Sequence, residues 1–205
     1  MNKQTKDVEM SNRKNTNKRI ESTKEYMDEL SKKYSKLNIV RVDLSYKKPH
    51  SDNMTLEDAN KDLNRMFNNM RSKPSIFKDK VGYVCKKEYT KDKGVHFHVI
   101  IIFNGQKVQQ SAFKGKQIGE YWEQVTQDRG SFHNCHYNKY ARNGIGMLDH
   151  TDKDKRKMLD EDVISYLCKD DEKQDIKSIK KNKKDRAFTR GTIPKSKGNM
   201  GRPRN

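Results

Sequence analysis

The sequence predicts an α+β fold of the ferredoxin-like kind, an antiparallel sheet packed with helices and flanked by basic tails. Three observations predict it. Residues 39–46 alternate apolar and polar, residues 81–89 and 95–103 form two strands around a short turn, and apolar residues recur at helical spacing between and after them. The resulting order of strand, helix, strand, strand, helix, strand, possible strand, helix suits a two-layer sandwich.

Taken in order, residues 1–37 are polar, with a helix near 22–37 where Tyr26, Leu30, Tyr34 and Leu37 recur at helical spacing; the segment reads as an N-terminal appendage. In the first strand Val40, Val42 and Leu44 share one face, and Arg41, Asp43 and Ser45 share the other. Thr55 with Asp58 three residues on resembles a capping box. It opens a helix whose stripe of Leu56, Ala59, Leu63, Met66, Phe67 and Met70 runs until Pro74 blocks continuation. Thr90-Lys91-Asp92-Lys93-Gly94 is the turn of the hairpin. Ile118, Tyr121, Trp122 and Val125 mark a second helix, and residues 132–140 and 145–148 are weaker strands. A last helix carries Leu159, Val163 and Leu167 at four-residue steps, with Asp160, Glu161 and Asp162 in a first turn whose dipole favours acidic side chains.

The chain has 205 residues, and its 46 Lys plus Arg against 28 Asp plus Glu give a net charge of +18. Such a surface collects polyanions, above all nucleic acid phosphates. Residues 172–205 alone hold twelve Lys or Arg against three Asp or Glu, which reads as a basic, flexible tail. The domain proper then spans 38–171. The longest apolar run, 99–103, is far short of a membrane span, and the N-terminus has no apolar signal segment, so a cytoplasmic protein with no membrane partner is expected. Cys85, Cys135 and Cys168 stand apart and read as reduced thiols. His133, Cys135 and His136 lack a fourth zinc ligand at a usual spacing.

Two groups of residues can carry chemistry. In His96-Phe97-His98 the two-residue period of a strand sends both imidazoles to one face. With residues 90–94 as the loop, Glu88 opposes His96, so a carboxylate joins the pair across the hairpin. Two imidazoles and a carboxylate that leave open positions suit a divalent cation, Mg²⁺ or Mn²⁺, able to accept a phosphate oxygen. The second group is Tyr166 and Lys169 on the last helix. A phenol with a pKa of about 10 needs a neighbouring cation or a polarised phosphate to act as nucleophile, and Lys169 is the cation the spacing offers.

Gly94-Val95-His96-Phe97-His98-Val99 followed by Tyr166-x-x-Lys169 resembles the HUH endonuclease superfamily of rolling-circle replication initiators. Arg41-x-Asp43-Leu44-Ser45-Tyr46, Gly144-Ile145-Gly146-Met147 and Arg186-x-Phe188-x-Arg190-Gly191 are similar to its prophage-encoded, inovirus-type replication proteins. The resemblance implies an HUH or RRM-like sheet, with His96, His98 and Glu88 as metal ligands, Tyr166 as nucleophile and Lys169 as its accessory. It implies nicking and joining of single-stranded origin DNA, with initiation of phage, prophage or plasmid replication, through a 5′-phosphotyrosine link. Transposases and conjugative relaxases share that chemistry, and a catalytically inactive DNA-binding module shares the sheet. Position 170 is Asp, so a second tyrosine one turn on is lacking, and without a Walker-type run any unwinding falls to a separate host helicase working with a polymerase.

Overall fold

In the computed structural model, which describes residues 3–169, 176–180 and 185–194, the alternating first strand is an interior strand of a six-stranded antiparallel sheet. This strand, β1 (Lys36–Tyr46), pairs with β3 (Gly94–Asn104) along one edge. Along the other it pairs with β4 (Gly130–Asn134) and β5 (Gly146–Asp149). Beyond β3 come β2 (Lys80–Thr90) and then a short β6 (Phe188–Arg190). The order β4-β1-β3-β2, with helices crossing between β1 and β2 and between β3 and β4, is the ferredoxin-like arrangement that the sequence predicts.

Before the sheet comes α1 (Lys3–Lys33). Between β1 and β2 lie α2 (His50–Asn53), α3 (Leu56–Asn68) and α4 (Pro74–Phe77), and α5 (Ser111–Val125) joins β3 to β4. Thr55 caps α3 as its spacing suggests, accepting from the Asp58 backbone N–H at 3.1 Å and donating its hydroxyl to the Asp58 carboxylate at 2.7 Å. After β5 the chain forms α6 (Lys153–Met158), a π-helical turn over Leu159–Ile164 and α7 (Ser165–Cys168).

Strand alternation builds two cores. Val40, Val42, Leu44, Phe97, Val99 and Ile101 point to the face covered by α3 and α5, where Leu63, Met66, Ile118 and Trp122 pack on them. Leu37, Ile39, Val84, Ile100 and Ile102 point the other way, against Tyr26, Met27 and Leu30 of α1 and Leu159, Val163 and Leu167. Each such side chain contributes about 1.5–3 kcal/mol by leaving water.

Three expectations need correction. Helix α1 starts far upstream of residue 22 and ends at Lys33, and its second half is core: Tyr26 is 1% exposed and Leu30 0%, so residues 1–37 are not a mere appendage. The stretch expected as a strand to residue 140 stops at Asn134, whose side chain accepts from the His136 N–H and turns the chain into a 3₁₀ segment over Cys135–Tyr137. Within the basic tail, residues 188–190 form β6 and Ile176 is buried in the first core, while residues 172–175, 181–184 and 195–205 lie outside the described residues.

Among the described residues no helix is long and apolar enough to cross a membrane. Cys85, Cys135 and Cys168 are buried, and burial pushes the Cys85 and Cys135 thiols up to about 12.

Candidate metal centre and nucleophile

The hairpin register is set by its turn. Gly94 closes it with φ of +66°, a conformation that side chains resist, and a Cβ there would strike the Ser51 carbonyl. Tyr89 then opposes Val95, Glu88 opposes His96 and Lys86 opposes His98, the pairing that the five-residue loop dictates. On β1, Asp43 opposes His98. The sheet face that is apolar at one end, with Ile39, Val84 and Ile100, therefore becomes polar at the other, with Asp43, Lys86, Glu88, His96 and His98.

Among the described residues one group of three or more His, Cys, Asp or Glu side chains converges: Glu88, His96 and His98, with ligand atoms all within 4.8 Å of one another. Glu88 is fully buried and the two histidines are each 7% exposed. One Glu88 oxygen, Oε2, lies 3.0 Å from His98 Nε2 and 3.3 Å from His96 Nε2. The far nitrogens are also engaged. His96 Nδ1 is 3.0 Å from the Gly94 carbonyl, and His98 Nδ1 is 2.7 Å from Asp43 Oδ1. When Nδ1–H donates to these oxygens, each ring turns its Nε2 lone pair toward Glu88, the orientation that outer partners impose on metal-binding histidines. This donor set fits a divalent cation.

The charges of the centre are strongly coupled to one another. Burial alone would raise the Glu88 carboxyl, but hydrogen bonds from His96 and His98, the charge of His98 and an ion pair between Lys86 Nζ and Oε1 hold it far below the usual carboxylate range. Burial likewise works against the Asp43 carboxylate, and its bonds to His98 and Arg41 outweigh it and lower the value. His98 moves the opposite way. Burial pulls it down, yet Asp43 and Glu88 together raise it.

Tyr166 stands at the border between the apolar and polar halves of this face. Its ring centroid is 5.9 Å from that of His98, edge to face, and the side chain is 40% exposed. The Arg41 guanidinium lies 5.4 Å from the ring centre and Lys86 Nζ 5.7 Å from it. The structure thus brings together all three predicted ligands and the predicted nucleophile. Lys169 is placed otherwise than expected. The helix ends at Cys168, the backbone at Lys169 is extended, and its side chain is exposed, so the cations over the phenol ring are Arg41 and Lys86.

Sequence reasoning missed Lys86, and quoted Arg41 and Asp43 without giving them a role. Lys86 was within reach, because it stands two residues before Glu88 on the same strand and so on the same face. His133, Cys135 and His136 do not gather around a point: His133 Nε2 bonds Asn138 and His136 Nε2 accepts from the Arg41 N–H. A cavity of about 800 Å³ between α3 and the hairpin turn is separate from the triad.

Fold and site together define the class: an α+β domain whose antiparallel sheet carries a two-histidine, one-carboxylate donor set beside a helix tyrosine. The chain belongs to the YagK/YfjJ C-terminal domain family, which it matches over residues 1–190. No curated protein and no solved structure matches it.

Proposed function

We propose that this protein is a metal-dependent endonuclease of HUH type that nicks and rejoins single-stranded DNA through Tyr166, initiating rolling-circle replication of a phage, prophage element or plasmid in the cytoplasm. The observation that carries the reading is the edge-to-face contact of Tyr166 with His98, 5.9 Å between ring centroids, which sets a phenol ring beside the only converging metal-type donor set among the described residues. Replication, rather than transposition or transfer, rests on the sequence resemblance, as do a separate helicase and polymerase as partners.

His96, His98 and Glu88 would hold the cation, Mg²⁺ or Mn²⁺. A bound divalent cation supplies Lewis-acid charge that offsets the negative charge of a scissile phosphate. The chain's own groups do the rest. Arg41 and Lys86 flank the phenol ring and supply positive charge beside the attacking group. The Tyr166 oxygen attacks phosphorus, the bond from phosphorus to the 3′-oxygen breaks, and the phenol gives its proton to water while the departing 3′-oxygen takes one up. A 5′-phosphotyrosine and a free 3′-hydroxyl result, and reversal of the step seals the strand.

The test is incubation with labelled single-stranded oligonucleotides and Mn²⁺, followed by a denaturing gel. A protein-linked DNA band is expected from the wild type and should vanish in Tyr166→Phe and His96→Ala while DNA binding persists. A band that survives in Tyr166→Phe would remove the nucleophile.

A further inference from the structure

On the assumption that the nuclease reading is right, the direction of the DNA through the site can be derived from the sheet register. Along β3 the Tyr166 ring lies between the levels of His98 and Ile100, since it contacts His98 and sits under Arg41 and Lys86, residues paired with Ile100 and His98. The opposite direction along the strand runs past His96 to the hairpin turn, and there a cavity of about 390 Å³ opens beside His96 and His98. That volume lies within the range of small-ligand pockets, roughly 300–1,000 Å³. His96, His98, Ser45, His133, Lys48 and Lys93 line it. Tyr166 does not line it.

The chemistry of the walls is that of a nucleotide site. Ser45 and His133 share the sheet face of Asp43 by strand alternation and pairing, and Ser45 Oγ is 2.8 Å from the Ser131 hydroxyl, so a hydroxyl and an imidazole edge face the cavity. Lys48 and Lys93 are exposed cations able to meet phosphates; the carboxylates in the lining are Asp92, beside Lys93, and Asp43, whose Oδ1 is 2.7 Å from His98 Nδ1. In-line displacement requires the attacking and departing oxygens on opposite sides of phosphorus. With the phosphate over the triad and the phenol toward Ile100, the departing 3′-oxygen must point toward the turn.

We infer that the cavity beside the hairpin turn binds the nucleotide whose 3′-oxygen leaves, so that the upstream DNA strand passes between Lys48 and Lys93 and is retained there for rejoining. Two probes distinguish this from the reverse polarity: mixed-sequence tetradeoxynucleotides carrying a terminal 3′-phosphate or a terminal 5′-phosphate, each dye-labelled at the other end. Binding to the full chain is measured by fluorescence anisotropy with Mn²⁺. The 3′-phosphorylated probe continues from the phosphate through a 3′-oxygen into the cavity, and is expected to bind about tenfold more tightly than the 5′-phosphorylated one, as one charge-assisted contact would give.

Ser45→Trp, which fills the cavity, should abolish that preference while Mn²⁺ binding remains. Lys93→Glu, on an exposed turn, should weaken the 3′-phosphorylated probe about tenfold and serves if Ser45→Trp does not fold. Equal binding of the two probes by the wild type, or a preference untouched in both variants, would overturn the inference. The covalent-adduct gel reads the nuclease proposal separately. A wild type that forms the adduct yet shows no probe preference rejects the polarity alone, whereas one that forms none rejects the nuclease reading.

Discussion

At the residue scale, Lys86 and Asp43 decide how the centre behaves. Lys86 is 6% exposed, pairs with Glu88 Oε1 and lies over the Tyr166 ring, so it neutralises the carboxylate that a divalent cation would also claim. Lys86→Met should destabilise the metal-free protein by about 3 kcal/mol, because a buried carboxylate loses a charged partner, and added Mn²⁺ should raise the melting temperature more in the variant than in the wild type. Equal Mn²⁺ shifts would count against this competition. Asp43 and Glu88 raise the His98 value, so the protonated ring stabilises the metal-free fold fully below about pH 6.5 and that contribution is lost as pH rises through the raised value. Mn²⁺ needs the neutral ring, so its affinity should increase from about pH 6 to 8. Asp43→Asn should move the rise to lower pH, and titration calorimetry with Mn²⁺ across that range measures it. The triad was legible because a five-residue turn fixes the register between Glu88 and His96. The partnership of Asp43 with His98 was not, since it depends on β1 lying beside β3, a contact across 55 positions that no turn dictates.

At the scale of elements, α1 shows how a visible pattern can have an invisible partner. The spacing of Tyr26 and Leu30 predicts a helix, yet nothing local says that its stripe covers the far face of the sheet. The structure supplies the reason: Gly82 on β2 and Gly191 after β6 both meet the Tyr26 hydroxyl where a Cβ would stand, and that oxygen accepts from the Tyr83 N–H at 3.3 Å. Leu30→Ala should therefore cost about 2–5 kcal/mol, the range for emptying a packed core site, and a denaturant melt would read it. A loss below about 0.5 kcal/mol, the level of a surface change, would mean that α1 is dispensable. The π turn at Leu159–Ile164 was likewise hidden. It inserts an extra residue per turn just before Tyr166, with the Ser165 N–H donating to the Asp160 carbonyl, and four-residue steps in the sequence look the same with or without it. The capped start of α3 and the hairpin were plain because capping residues and turn length act locally.

For the molecule as a whole, charge and chemistry are separable. A net charge of +18 accounts for attraction to any polyanion, and single-strand binding should weaken with salt at a slope of about −0.7 per phosphate contacted on a double-logarithmic plot. Anisotropy measured over a salt series checks this, and a flat response would contradict a phosphate-binding surface. The proposed cleavage, by contrast, would depend on one phenol beside one triad. The direct test is mass spectrometry of the protein after incubation with single-stranded DNA and Mn²⁺, then nuclease and protease digestion. The account predicts a nucleotide joined by phosphate to the peptide that contains Tyr166, and a modified residue other than Tyr166, or unmodified protein throughout, would contradict it.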